Sequence, residues 1–217
     1  MIWHIITLFP EMFSGPFDSS IIKRARDKGL VDVKFYNLRG WAVDKRGTVD
    51  GKIYGGGAGM VLRIEPLVDA LNFVKKSIPP SHISHVALIT PSRKTFSQTK
   101  ARELVKFDDV ILICGHYEGF DERIKEFIDE EISIGNYIVT GGELPAMVIV
   151  DAVTRLLTGV LTKKEATLNE SFSEEGLLEE PQYTKPEDYR GLKVPEILLS
   201  GHHGAIKQWR HDHQKHV

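Results

Sequence analysis

The chain has 217 residues, of which 41% are hydrophobic and 27% charged, and its formal net charge is −2. This composition is typical of a globular protein, which excludes a disordered or collagen-like chain, and the near-neutral charge excludes an overall attraction to polyanions. The only cysteine is Cys114, so no intrachain disulfide can form, and no apolar run approaches the ~20 residues that cross a bilayer. We therefore expect a cytoplasmic protein with no membrane partner.

Short apolar runs alternate with amphipathic segments along the first two thirds of the chain. In chain order the pattern predicts a strand over residues 2–9, a helix over 21–26 capped by side chains of 18–20, a strand over 31–36, a helix over 66–74, a strand over 86–90, a helix over 97–106, a strand over 110–114 and a helix over 143–157. Strands that alternate with helices indicate an α/β fold with a mostly parallel sheet. A further acidic helix is predicted near residues 121–127.

Two segments between these elements suggest ligand binding. Residues 39–63 carry five basic and two acidic side chains with Trp41 and Tyr54 interleaved, a pattern that suits either RNA or a solvated loop. Residues 54–60 hold four glycines but match neither the dinucleotide-binding nor the phosphate-binding loop pattern, and they do not follow a clear strand. They indicate either close approach of the backbone to a flat ligand or a flexible hinge. No cysteine or histidine spacing predicts a metal site.

Several motifs resemble one known family. They are GHYEGFDER at residues 115–123, SIGNY at 133–137, GGELPA at 141–146, YGGGAGM at 54–60, LLSG at 198–201 and IITLFPEMF at 5–13. In this order they closely resemble the bacterial tRNA (guanine-N1)-methyltransferase family TrmD, of the SPOUT class, from residue 5 to about residue 210.

The resemblance implies a parallel α/β domain whose C-terminal part is threaded into a trefoil knot, a rare exception to the rule against threaded chains. It implies a SPOUT methyltransferase domain over residues 1–160 and an interdomain linker with a catalytic loop over 161–195. Residues 196–217 would begin a C-terminal tRNA-binding extension that is truncated or minimal, with most of the family's helical domain absent. The family also works as a homodimer.

By resemblance, loops that follow strands form the cleft for S-adenosyl-L-methionine. The positions that match the family's cofactor-binding residues are Leu88, Ile89, Thr90, Pro91, Gly115, Tyr117, Glu118, Gly119, Ser133, Ile134, Gly135, Tyr137, Val139, Gly141, Gly142, Leu144 and Pro145. Glycines suit this task, because backbone groups without a β-carbon nearby can reach the polar edge of an adenine. We expect the loops over 115–119 and 133–142 to line a single cleft.

The chemistry of guanine methylation requires a base and a cation. N1 of guanine carries a proton at neutral pH, so a base must remove it while a cation stabilises charge on O6. The resemblance assigns these roles to Glu170, where the family has aspartate, and to Arg155. It assigns contacts with the target guanine to Asp50, Gly55, Gly56, Gly57 and Gly59. It leaves open whether a magnesium ion assists.

The expected activity is methylation of N1 of guanosine 37 in tRNAs that carry a guanosine at position 36. Two alternatives stay open from sequence alone. The first is a SPOUT methyltransferase that acts on another RNA position, such as a ribose hydroxyl, for which no carboxylate at position 170 is needed. The second is an RNA-binding or cofactor-binding module with impaired catalysis.

Overall fold

The computed structural model describes residues 1–91, 94–162, 167 and 170–216. The chain divides into two compact units, Met1–Thr162 and Lys163–Val217. Of the segment predicted as a linker with a catalytic loop, residues 163–166, 168 and 169 lie outside the described residues. The predicted division into three parts stays a prediction. Within the described ranges, no helix has the length and apolar character needed to span a membrane.

The first unit contains seven strands and four α-helices among its described residues. The strands are β1 (Ile2–Thr7), β2 (Asp32–Asn37), β3 (Asp50–Lys52), β4 (Met60–Leu62), β5 (Ser84–Ile89), β6 (Asp109–Cys114) and β7 (Glu130–Ile132). The helices are α1 (Ser20–Asp27), α2 (Ile64–Ser77), α3 (Gln98–Leu104) and α4 (Glu143–Thr154). Five strands form a parallel sheet in the order β2-β1-β6-β5-β7, and β3 and β4 form a separate antiparallel hairpin.

Both faces of the parallel sheet are covered, which explains the apolar sequence of its central strand. All six residues of β6 are buried, as expected for a strand between two layers. Alternate residues enter two separate cores: Leu112 contributes to the core formed with α1, α3 and α4, whereas Ile111 contributes to the core formed with α2. The predicted parallel α/β architecture is therefore confirmed.

Helix capping and local secondary structure differ from the sequence prediction at three places. Ser19 stands at the N-cap of α1 but makes no side-chain capping bond, whereas Ser97 before α3 accepts a hydrogen bond from the backbone N of Lys100. The acidic segment Glu122–Phe127 is a 3-10 helix. The prediction that the glycine run follows no strand is wrong, because it connects β3 to β4.

The second unit consists of short elements. Its strands are β8 (Leu177–Leu178), β9 (Asp188–Tyr189), β10 (Leu192–Lys193) and β11 (Lys215–His216), and its helices are α5 (Glu196–Leu199) and α6 (His203–Asp212). Strand β9 pairs with β10, and β8 pairs with β11, both antiparallel. On α6 the Trp209 ring stacks on the ring of His213 at 4.0 Å between centroids.

A buried carboxylate joins three elements at the amino-terminal end of the parallel sheet. Asp109, which is 1% exposed, accepts hydrogen bonds from His4 Nε2 at 2.7 Å and from His82 Nδ1 at 2.6 Å. The hydroxyl of Tyr36 donates to His4 Nδ1 at 2.9 Å. Burial lowers the pKa of His4 below its usual value of 6.5, against the opposing effect of Asp109. His4 is therefore neutral in the folded chain near neutral pH.

This network predicts a loss of stability in acid. The unfolded chain binds a proton at His4 more readily than the folded chain does, so the free energy of unfolding should fall as the pH is lowered below about 6.5. Asp109→Ala should cost roughly 2–3 kcal/mol, because it leaves the buried His4 donor without an acceptor. Denaturant titrations over a pH series measure both effects, with Asp69→Ala on the exposed face of α2 as the control. Equal stability of the two alanine variants would contradict the expectation.

Candidate active site

A cleft of about 220 Å³ lies at the carboxyl ends of the parallel strands. Its walls are the loops that follow β5, β6 and β7, together with the first turn of α4. Ligands of parallel α/β sheets bind at this edge, where loops from neighbouring strands meet. The two loops that were expected to share one cleft, 115–119 and 133–142, both line it.

Most of the residues predicted to bind the cofactor line this cleft. They are Ile89, Thr90, Pro91, Gly115, Tyr117, Glu118, Gly119, Ser133, Ile134, Gly135, Tyr137, Val139, Gly141, Gly142 and Pro145. Leu88 and Leu144 are not among the lining residues. The side chain of Leu88 packs in the core beside α2, and Leu144 is 51% exposed on the first turn of α4.

The cleft also contains residues that the sequence did not single out. They are His116, Phe120, Ile132, Ile138 and Thr140. Each of them lies in or beside a loop that was already predicted to bind the cofactor. Position in the chain could therefore have indicated these residues. The Nδ1 atom of His116 is buried and has no hydrogen-bond partner within the described part of the chain.

Glycine is required at position 142 because the chain passes very close to itself beside the cleft. Gly142 N donates to Gly115 O at 2.8 Å. A β-carbon on Gly142 would lie 2.6 Å from Gly115 N and 2.7 Å from the Cα of Cys114. Because these neighbours are backbone atoms, they cannot move aside as a flexible side chain can. The GGELPA motif therefore packs directly on the end of β6.

The residue that follows Gly142 is a buried carboxylate, Glu143. Glu143, which is 1% exposed, accepts a hydrogen bond from the Thr7 hydroxyl at 2.7 Å. Burial, with a smaller contribution from the charge of Glu143, raises the pKa of the Cys114 thiol well above its usual value. Cys114 therefore stays protonated, and it does not supply a nucleophile.

A tight turn shapes the loop after β7. The hydroxyl of Ser133 donates to Gly135 O at 3.0 Å and accepts from Gly135 N at 3.2 Å. The Tyr137 ring lies directly over the Cα of Gly135. A β-carbon at position 135 would overlap this ring, and Gly135 also has a φ of +155°, so glycine suits this position of the SIGNY motif.

The residues predicted to contact guanine lie on the hairpin of β3 and β4. Asp50 is partly buried at the start of β3, while the exposed glycines Gly55, Gly56, Gly57 and Gly59 form the connection. Tyr54 is fully exposed there, but Trp41 packs on Phe73 at 5.4 Å between centroids. Of the two aromatics in the basic segment, Tyr54 is thus the one available to stack on a base.

The two residues predicted to be catalytic lie in different compact units. Arg155 directly follows α4 in the first unit and is partly buried. Glu170 lies in the second unit, partly buried, in a turn where its carbonyl accepts from Ser173 N at 2.9 Å. Within the described ranges, no group of three acidic, histidine or cysteine side chains is arranged to hold a metal ion.

Comparisons with known proteins give a consistent result. The family model described as tRNA (Guanine-1)-methyltransferase TrmD matches residues 1–217. A tRNA (guanine-N(1)-)-methyltransferase of Dictyoglomus turgidum is 56% identical over 206 residues, which are 95% of this chain and 82% of that protein. One of Citrifermentans bemidjiense is 52% identical over 215 residues, 99% of this chain and 85% of that protein.

A solved structure is similar along nearly the whole chain. The crystal structure of tRNA (m1G37) methyltransferase from Aquifex aeolicus superposes with a TM-score of 0.80 and 38% sequence identity. The match covers 98% of this chain and 88% of that chain.

Proposed function

The chain belongs to the TrmD family and is a tRNA (guanine-N1)-methyltransferase, and we propose that it transfers the methyl group of S-adenosyl-L-methionine to N1 of guanosine 37 in tRNAs that carry guanosine at position 36. The observation that carries this proposal is the cleft itself, which three family motifs build at the carboxyl ends of β5, β6 and β7. The similar Aquifex protein is a tRNA (m1G37) methyltransferase, which supports the position on the tRNA.

The cleft fits an adenosyl group in its chemistry. Apolar side chains such as Ile89, Ile134 and Val139 can enclose a flat ring, and the glycine loops expose backbone donors and acceptors for its polar edge. Glu118 also lines the cleft, and an acidic residue there complements a positively charged ligand. When bound, S-adenosyl-L-methionine supplies an electrophilic methyl group.

In this mechanism the chain's own residues manage the proton and the charge of guanine. Glu170 acts as the general base and accepts the proton from N1. Arg155 stabilises the negative charge that develops on O6. Asp50 and the glycine connection of the β3–β4 hairpin hold the base. Assistance by a magnesium ion stays a prediction. Comparing the methyl-transfer rates with and without magnesium tests it.

Three further properties follow from family membership as proposals. The C-terminal part of the α/β domain would be threaded into the trefoil knot of the SPOUT class, and residues 196–217 would belong to the tRNA-binding extension. A tRNA substrate makes the cytoplasm the proposed compartment.

The donor assignment is tested by calorimetry with S-adenosyl-L-methionine alone, where we expect saturable binding. No binding by the folded chain would contradict the proposed function.

We also propose that the enzyme is a homodimer. Leu144 and Val148 lie one turn apart on α4 and are 51% and 48% exposed, an unusual exposure for apolar residues on a helix that otherwise covers the core. Light scattering at micromolar concentration should give the mass of two chains, and Val148→Asp should shift the protein towards a monomer, because it places a charge on this face. A monomeric parent would contradict the proposal.

A further inference from the structure

A cluster of three aromatic rings lies beside α2, outside both the cleft and the β3–β4 hairpin. The ring of Phe73 on α2 packs against Trp41 at 5.4 Å and against Tyr36 at 6.3 Å between centroids. Tyr36 and Trp41 are partly buried, whereas Phe73 is 55% exposed. Two inner rings therefore support a third ring that is exposed to solvent.

Basic side chains lie next to this aromatic cluster. Lys34 is two residues before Tyr36 in β2, so both side chains point to the face of the sheet that α2 covers. Lys76 is three residues after Phe73, so the two lie on the same side of α2. Both lysines are exposed.

A basic loop adjoins the cluster as well. Arg39, two residues before Trp41, is exposed, and its Nη1 atom donates to Gly47 O at 3.1 Å. This bond holds the loop that carries the exposed side chains of Lys45 and Arg46.

Acidic residues are fewer around the cluster. They are Asp32 on β2, Asp44 in the basic loop and Asp69 on α2. Three carboxylates against five basic side chains leave an excess of positive charge beside an exposed ring. This combination suits an unpaired base and its phosphates.

The cluster is close in the chain to the residues proposed to hold the target guanine. Asp50 pairs with Leu62, which is two residues before the start of α2. Phe73 is nine residues after Ile64, which is about 14 Å along the helix. At the ~3.4 Å rise of a stacked strand, this length corresponds to about four nucleotides.

The proposed dimer contact leaves this surface uncovered. The exposed residues Leu144 and Val148 lie on α4, which packs on the core formed with α1 and α3. Helix α2 packs on the other core, across the parallel sheet. A second chain on the exposed face of α4 would therefore not cover Phe73.

We propose that Phe73 stacks on a base of the tRNA a few nucleotides from the target guanosine, and that Lys34, Arg39 and Lys76 bind the phosphates beside it. This inference rests on the proposed function, because it takes the tRNA as the partner. It places a contact with the substrate on α2, outside the guanine-binding hairpin.

Titration of the enzyme with a labelled tRNA that carries guanosine at positions 36 and 37 tests the stacking contact. Phe73→Ala should weaken tRNA binding roughly 5–150-fold, as expected for the loss of one base–aromatic stack, and should leave donor affinity unchanged. Phe73→Trp should keep the parent affinity, because it restores a flat ring. Phe127→Ala is the matched control, since Phe127 is 41% exposed but adjoins the exposed Glu126.

The salt dependence of tRNA binding tests the phosphate contacts separately. Lys76→Gln should reduce the slope of log affinity against log salt concentration by about 0.7, the value for one phosphate of a single strand. Phe73→Ala should leave that slope unchanged. Lys23→Gln is the control, because Lys23 lies on α1, across the sheet, where it pairs with Asp27.

Two results would refute the inference while the proposed function stands. One is tRNA binding by Phe73→Ala equal to that of Phe127→Ala, and the other is an equal loss of affinity in Phe73→Ala and Phe73→Trp. A change of mass in light scattering of Phe73→Ala would also refute it, because it would assign the surface to a contact between chains. Absence of tRNA binding by the folded parent would contradict the proposed function as well.

Discussion

Glu170→Gln is expected to slow methyl transfer by about 10²–10⁴-fold, the usual contribution of a general base, with donor affinity unchanged. The amide cannot accept the N1 proton, but it keeps the size of the side chain. Single-turnover assays with saturating tRNA measure the chemical step directly. Glu170→Asp should retain or raise the rate, because it restores the family's shorter carboxylate at this position.

The control for this result is a neighbouring carboxylate. Glu175 lies in the same segment and is exposed, so Glu175→Gln should transfer methyl groups at the parent rate. If Glu170→Gln were as fast as Glu175→Gln, the base assignment would be wrong, and a reaction at a ribose hydroxyl would become the better explanation.

Gly142→Ala should abolish measurable donor binding, a loss of at least about a hundredfold in affinity. The new methyl group would overlap Gly115 N and the Cα of Cys114, and the backbone can only respond by separating the GGELPA motif from the end of β6. Overpacking of this kind commonly costs about 1–3 kcal/mol in stability even where side chains can adjust. Donor calorimetry and thermal melting together measure the effect.

Gly40→Ala provides the matched substitution elsewhere in the same unit. Gly40 has an ordinary φ, and its β-carbon position is free of other atoms within 4 Å, so this variant should bind donor like the parent. Parent-like donor binding by Gly142→Ala would show that the contact between the two loops does not shape the cleft.

The elements of the parallel sheet were predictable because burial on both faces leaves a continuous apolar run, as in β6. Their ends were less predictable. The apolar spacing extends to Leu157, but α4 ends at Thr154, and Leu156 N bonds instead to Val153 O in a turn. Leu156 and Leu157 still pack against the core from that turn, so apolar spacing alone overestimates the length of the helix.

The candidate site was predicted largely through resemblance, and its physical reasons lie in long-range contacts. Counting glycines cannot show that Gly142 packs on Gly115, or that Gly59 lies against Glu118, because each contact joins distant parts of the chain. The same holds for the bond between His4 and Asp109, which are 105 residues apart. Pairings of this kind depend on the order of the strands, which no local pattern specifies.

The most direct test of the central claim is to locate the transferred methyl group. The enzyme is incubated with isotopically labelled S-adenosyl-L-methionine and a tRNA transcript that carries guanosine at positions 36 and 37, and the digested RNA is analysed by mass spectrometry. We expect labelled 1-methylguanosine at position 37 and no label in a matched transcript with adenosine at that position. Label on a ribose hydroxyl, on another nucleotide, or equally in both transcripts would contradict the assignment.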